Sequence, residues 1–225
     1  MPSRLRQATP DPARVARIRE KFSASAAPVR PLPSNGRLTA AILAVFVVVA
    51  IALAAPFGYR GFAKMSPAAA WVDYSAIVLL AAVLAGMVIG AMIPGSRRVL
   101  SPLAGAAAAV VLLCSATLLL FPSYDMTRFF ARGIPCLRLG TLCAVPGGIA
   151  AWLLMRRGFI VDPARAAFAG GALAGLLGIA VLALHCPIFT APHIIVWHVG
   201  VIVVTSIAGA VAGWIFFGRR ASIDA

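Results

Sequence analysis

Six apolar runs, each close to the length of a bilayer crossing, leave this chain little freedom in how it folds. They cover residues 38–55, 72–93, 99–121, 136–155, 164–184 and 194–217. A helix needs about 20 apolar residues to cross the hydrocarbon core, where nothing but an intact helix or a closed barrel satisfies its own backbone hydrogen bonds. A water-soluble chain carries about a quarter of its residues as charges; here the share is 12%. The runs predict an all-α protein: a bundle of six transmembrane helices over residues 38–220, a short cytoplasmic N-terminal tail over 1–37 and a cytoplasmic C-terminus over 221–225.

Basic residues give the orientation, because Lys and Arg flanking the spans are retained on the cytoplasmic side. The tail holds Arg4, Arg6, Arg14, Arg17, Arg19, Lys21, Arg30 and Arg37. The second loop holds Arg97 and Arg98, the fourth Arg156 and Arg157, and the C-terminus Arg219 and Arg220. The opposite loops have Arg60 and Lys64 in the first, Arg128 and Arg132 in the third and none in the fifth. Both termini are therefore expected in the cytoplasm, the third loop being the weakest witness. The formal charge of +14 is then mainly a topology signal. Its residues are scattered among segments with no base-reading module beside them, so no direct nucleic-acid partner is expected.

The tail encodes one helix, over residues 11–22. Asp11 suits the N-cap and Pro12 the first helical position. Val15, Ile18 and Phe22 then form an apolar stripe among Arg14, Arg17, Arg19 and Lys21. Such a helix either lies on anionic headgroups of the lipid bilayer or docks into a groove on a cytoplasmic partner. The Pro-rich residues 26–34 read as a stiff spacer. The first run is read as a retained span and not a cleaved leader, because a 37-residue basic lead is too long for a signal peptide.

The spans are nearly bare of polar groups. Asp11, Glu20, Asp73, Asp125, Asp162 and Asp224 all fall in the tail, in loops or at span edges. Ion-coupled transporters keep an ionisable group near the midplane, and none is expected here. No nucleophile–base pair or paired carboxylates suggest an enzyme. The spans do carry small residues at close-packing spacing, Gly86/Gly90, Gly171/Gly175 and Gly209/Gly213, which let helix backbones approach.

Chemistry concentrates in residues 182–199, where all three histidines, His185, His193 and His198, lie with Cys186 and Trp197. Cys136 opens the fourth span, and Cys143 follows it two helical turns deeper. With both termini inside, Cys136 and Cys186 meet the same outer edge of the membrane. Cys114 reads as a small buried residue of the third span. No CxxC or HExxH spacing is present, so the residues alone are read as packing and interfacial groups.

The segment 183–187 (ALHCP) with 196–198 (VWH), the segment 133–138 (GIPCLR), the Pro146-Gly147 step and the 155–158 run (MRRG) resemble the signature of the NrsF family of six-span anti-sigma factors. The run 28–33 (PVRPLP) and the 95–98 turn agree with it, so the likeness extends from about residue 28 to 220. The resemblance implies a protein of the bacterial inner membrane that holds an extracytoplasmic-function sigma factor with its cytoplasmic N-terminal segment. It also implies that Cys136 and Cys186 match the family's paired extracytoplasmic cysteines, which matter for signalling. Relatives begin with an acidic and apolar segment, whereas this tail is basic. Val15, Ile18 and Phe22 are then the expected apolar anchors, and Arg14, Arg17 and Arg19 the partners of an acidic sigma surface.

The signal would be thiol oxidation, which needs the two Cα atoms within about 7 Å, or loss of a soft metal held by Cys136, Cys186, His185 and His193. No other cofactor is expected. His198, one and a half α-helical turns beyond His193, is expected to point elsewhere and serve helix packing with Trp197. Two alternatives stay open: a small transporter or channel, and a thiol oxidoreductase passing electrons through Cys136, Cys143 and Cys186.

Overall fold

The computed structural model of the protein describes residues 11–24, 33–93, 101–156, 160 and 162–218. Arg4, Arg6, Arg30, Arg97, Arg98, Arg157, Arg219 and Arg220, most of the 26–34 spacer, the 95–98 turn and the 221–225 C-terminus lie outside those residues. The chain divides into two units, Met1–Pro33 and Ser34–Ala225.

The first unit holds helix α1, Pro12–Ala24. Asp11 caps it by accepting from the Ala13 N–H at 3.0 Å, which satisfies one of the donors that a helix start leaves open. The stripe of Val15 and Ile18 is 42% and 48% exposed, and Phe22 on the same face is exposed as well. Arg14, Arg17 and Arg19 surround it, exposed too.

The second unit is helical throughout, with no strand among the described residues. Its elements are α2 (Asn35–Ala54), which ends in a tight turn at Ala55–Phe57, the short α3 (Arg60–Lys64), α4 (Pro67–Met92), α5 (Pro102–Leu120), α6 (Phe129–Met155) and α7 (Pro163–His185). The last span runs from α8 (Ala191–His193) through a π-helical turn (Ile194–His198) into α9 (Gly200–Gly213). Six helices are long and apolar enough to cross a membrane: Asn35–Phe57, Pro67–Met92, Pro102–Leu120, Phe129–Met155, Pro163–His185 and Ala191–Phe216.

Three of these spans open with the same device. Ser66 accepts from the Ala69 N–H at 3.3 Å, Ser101 from Ala104 at 3.1 Å and Asp162 from Arg165 at 3.1 Å. Each cap is followed by a proline at the first helical position, whose missing N–H costs nothing there. The Ser66 cap starts α4 at Pro67, ahead of the apolar run at 72. Asp73, expected at a span edge, therefore sits in the second turn of α4 and is half-buried. Arg37 likewise lies in the first turn of α2.

Helix α7 is the hub. Of its most apolar stretch 83% is buried, against 17–39% for the other spans, and it packs on α2, α4, α5, α6 and α9. Within a membrane, helices associate through close packing and not through exclusion of water, and α7 achieves this with glycine. A Cβ on Gly171 would strike the Thr205 carbonyl oxygen, and one on Gly175 would lie 2.7 Å from the Ile202 Cα. Gly209 faces the Ala167 carbonyl in the same way, and Gly213 that of Pro163 at 2.6 Å. Gly178 bears on the Gly140 carbonyl of α6. The α7–α9 seam is thus closed backbone to backbone.

The pair Gly86/Gly90, expected to pack in this way, has no such backbone contact at Gly86. A Cβ on Gly86 would meet nothing within 4 Å, and the residue is exposed, while Gly90 is half-buried. Gly86 lies on the outer face of α4, whose inner face is given to Leu84 and Val88.

Candidate functional site

The first, third and fifth loops meet at one end of the bundle, and the chemistry lies beneath them. Gly61 of α3 presses on the backbone of Cys186, where a Cβ would come within 2.8 Å of the Cys186 carbonyl oxygen. The Ala191 N–H donates to the Ser123 carbonyl at 2.8 Å, and Phe121 stacks on Phe189 with ring centres 5.3 Å apart. These contacts hold the 186–190 segment down on the helix ends.

Cys186 terminates α7, its N–H donating to the Leu182 carbonyl at 2.7 Å. Cys136 lies in the second turn of α6, with Pro135 before it. The two sulfurs are 3.7 Å apart, and all four cysteines are free thiols. On the other side of Cys186, the His193 Nε2 lies 3.6 Å from its sulfur. Hydrogen bonding from the Cys136 thiol holds the Cys186 thiol below its ordinary pKa against the opposing effect of burial, with help from His193. Cys186, His193 and His198 are 3%, 3% and 4% exposed.

The histidine expected to face away is the one that joins this group. Cys136, Cys186, His193 and His198 each bring a ligand-type atom within 4.8 Å of the others. In a regular α-helix two residues five apart lie about 140° apart around the axis, which is why His198 is predicted to diverge from His193. The chain instead makes a π-helical turn, in which the Val199 N–H reaches back five residues to the Ile194 carbonyl at 3.0 Å. That register stacks positions i and i+5, and the two imidazole rings meet edge to face at 5.2 Å.

His185, expected among the metal ligands, is not in the group. Its Nδ1 lies 3.2 Å from the Gly58 carbonyl oxygen, and its ring meets Phe57 edge-on at 5.7 Å. As the last residue of α7 it turns toward the first loop, while Cys186, one residue on, turns inward. Cys143 is buried in the core two turns below Cys136 and is outside the group, so the described residues give no relay of three thiols.

Trp197 anchors the neighbouring wall. A Cβ on Gly133 would strike its indole ring, and Phe129 and Phe130 lie against that ring at 5.1 and 5.8 Å. The start of α6 is thereby fixed to the last span just above Cys136. A cavity of about 20 Å³, room for one water, adjoins the group and is lined by Asp73, Thr117, Cys186 and His198 among others. Asp73 and Gly61 are the residues of this end that sequence reasoning misses. The Ser66-Pro67 cap signal, by moving the start of α4, is what would have found Asp73.

The fold and the site together define a small multi-span membrane protein whose thiol–imidazole group sits at its loop end, with a separate basic helix ahead of its first span. The family described as NrsF, negative regulator of sigma F, matches residues 22–218, nearly the whole bundle. The chain belongs to that family and is a negative regulator of a sigma factor. No curated protein and no solved structure matches it. The match begins at Phe22, so most of α1 lies ahead of it.

Proposed function

We propose that this chain is an anti-sigma factor of the bacterial inner membrane. Both termini face the cytoplasm, where the tail holds an extracytoplasmic-function sigma factor. The hold is released by an envelope signal registered at Cys136 and Cys186. The family match over residues 22–218 carries the sigma-factor part. The sulfur pair at 3.7 Å, beneath the loops that carry fewer cations, supports the sensing part. An exposed stripe of Val15 and Ile18 among Arg14, Arg17 and Arg19 offers the tail a surface for an acidic partner groove.

The architecture suits coupling between the two ends. Cys136 is on α6, Cys186 ends α7 and the histidines are on the last span, so one small group joins three helices. Glycine contacts let α7 lie directly on α6 and α9 backbone, and interfaces packed this tightly shift as units and do not deform smoothly. A change in the sulfur–imidazole spacing at the outer end is then passed to the inner ends of the helices. A coupling of about 1–3 kcal/mol suffices for such a switch.

Co-expression of the full-length chain with the cell's candidate sigma factors tests the reading. One sigma factor should co-purify with the membrane fraction, and Ile18→Asp should lose it. Single Cys136→Ser and Cys186→Ser variants should insert normally yet fix the complex in one signalling state. Cysteine variants that answer every stimulus as the native chain does would remove the sensing part; no captured sigma factor would remove the tail's role.

A further inference from the structure

We propose that Cys136, Cys186, His193 and His198 form a four-coordinate site for a borderline divalent cation of the Zn²⁺ class. Two sulfurs and two imidazoles are the donor set that selects Zn²⁺ and its softer relatives over hard cations such as Mg²⁺ and Ca²⁺, which take oxygen. The separations fit. With Zn–S near 2.3 Å and Zn–N near 2.05 Å, a tetrahedron has sulfur–sulfur and sulfur–nitrogen edges of about 3.8 and 3.6 Å. Cys136 and Cys186 stand 3.7 Å apart, and the Cys186 sulfur is 3.6 Å from His193 Nε2. No pair in the group exceeds 4.8 Å, within about 1.5 Å of the tetrahedral edges.

Two further features point to a ligand and not to thiol–imidazole hydrogen bonding alone. His198 is buried at 4% exposure, yet its Nε2 is sealed from solvent without a hydrogen-bond partner. Buried ring nitrogens are ordinarily paired, so one left unpaired beside two sulfurs and a second imidazole is placed to act as a ligand. The helix also abandons regular α-helical register between Ile194 and His198, and this irregularity is what brings His198 to the group. Isolated π-turns recur at functional sites for this reason. Binding would take two thiolates and two neutral imidazoles, releasing thiol protons to solvent. With three of its four residues buried the site is closed, as in structural and regulatory zinc centres, with no open position for catalysis.

The site would give the sensing proposed above its chemistry, since it rests on the same two cysteines. It is tested on the purified full-length chain in detergent, in reducing buffer, without a sigma factor. Added Co²⁺ should bind at one equivalent per chain, with intense tetrahedral visible bands and a near-ultraviolet charge-transfer band of two thiolates, and Zn²⁺ should displace it. His193→Ala, His198→Ala, Cys136→Ser and Cys186→Ser should each weaken binding by more than about a hundred-fold, since even outer-shell changes cost 10–100-fold. His185→Ala and Cys143→Ser should bind as the native chain does. On the unmutated chain, Zn²⁺ should shield Cys136 and Cys186 from alkylation and leave Cys114 and Cys143 unchanged, a readout that no misfolded variant can confuse. An octahedral spectrum without a thiolate band, no shielding, or dependence on His185 in place of His198 would each overturn the site. If Co²⁺ binds as described while Cys136→Ser leaves sigma release untouched, the site stands and the sensing role falls. If release depends on Cys136 with no metal bound, the reverse holds.

Discussion

Replacing Gly175 by alanine should unzip the central seam. The new Cβ would lie 2.7 Å from the Ile202 Cα and 3.2 Å from its nitrogen, with the Thr205 hydroxyl closer still. Carbon atoms pack best at about 3.5–4.0 Å, so α7 and α9 must part by about 1 Å. The obstacles include backbone, which cannot rotate away as a side-chain tip can. A gap of that size forfeits a quarter to a half of each dispersion contact across the seam, and forced overpacking costs about 1–3 kcal/mol. The upper half of that range is expected, because packing is what holds helices together in lipid. SDS-titrated unfolding in mixed micelles, followed by far-ultraviolet circular dichroism, measures the change. Gly86→Ala is the control: its Cβ meets nothing within 4 Å, so it should be neutral or gain up to about 1 kcal/mol from helix propensity. Equal losses at the two positions, or none at Gly175, would refute the seam as described.

Other outcomes follow from single contacts. Arg128 holds a left-handed backbone, φ 56°, at the start of α6. Such a conformation costs a non-glycine residue about 1–2 kcal/mol, of which glycine's greater chain entropy returns roughly half. Arg128→Gly should therefore stabilise by about 0.5–1 kcal/mol in the same titration. His185→Ala should lose about 0.5–1.5 kcal/mol with its contact to the Gly58 carbonyl, and leave the alkylation rates of Cys136 and Cys186 unchanged. Ile18→Asp in the full-length chain should weaken sigma-factor capture by about 10–100-fold, the worth of one buried aliphatic anchor, measured by co-purification over a dilution series. Cys143→Ser should leave signalling intact in a reporter strain, because that thiol lies in the core and outside the cluster.

The spans and the all-helical class were legible because apolar length is a direct property of the chain. The ends were less so. Hydropathy sees the run from residue 72, whereas Ser66-Pro67 starts the helix earlier and draws Asp73 into it. Which helix lies at the centre was not visible: Gly171/Gly175 shared its spacing with two other pairs, and Gly178 and Gly140 had to be paired in space to show α6 on the other side of α7. Gly86 and Gly90 carry the same spacing on a helix where Gly86 faces outward, since spacing records what a face permits and not what covers it. The site was legible in its cysteines and misread in its histidines. Adjacency in the chain favoured His185, and a regular helix excluded His198. One added residue in a single turn brought His198 in, which no periodicity in residues 191–200 announces, and the end of α7 turned His185 toward the Gly58 carbonyl.

In the proposed function, an outer event at Cys136 and Cys186 reaches the cytoplasmic tail. The direct measurement is sigma factor released from membranes that carry the full-length chain and its captured partner, before and after a membrane-impermeant thiol reagent is applied to the outer face. Release from the native chain should change on treatment, and that change should vanish in Cys136→Ser and Cys186→Ser while persisting in Cys143→Ser. An unchanged level in the native chain, or an equal response in the two cluster variants, would contradict the account.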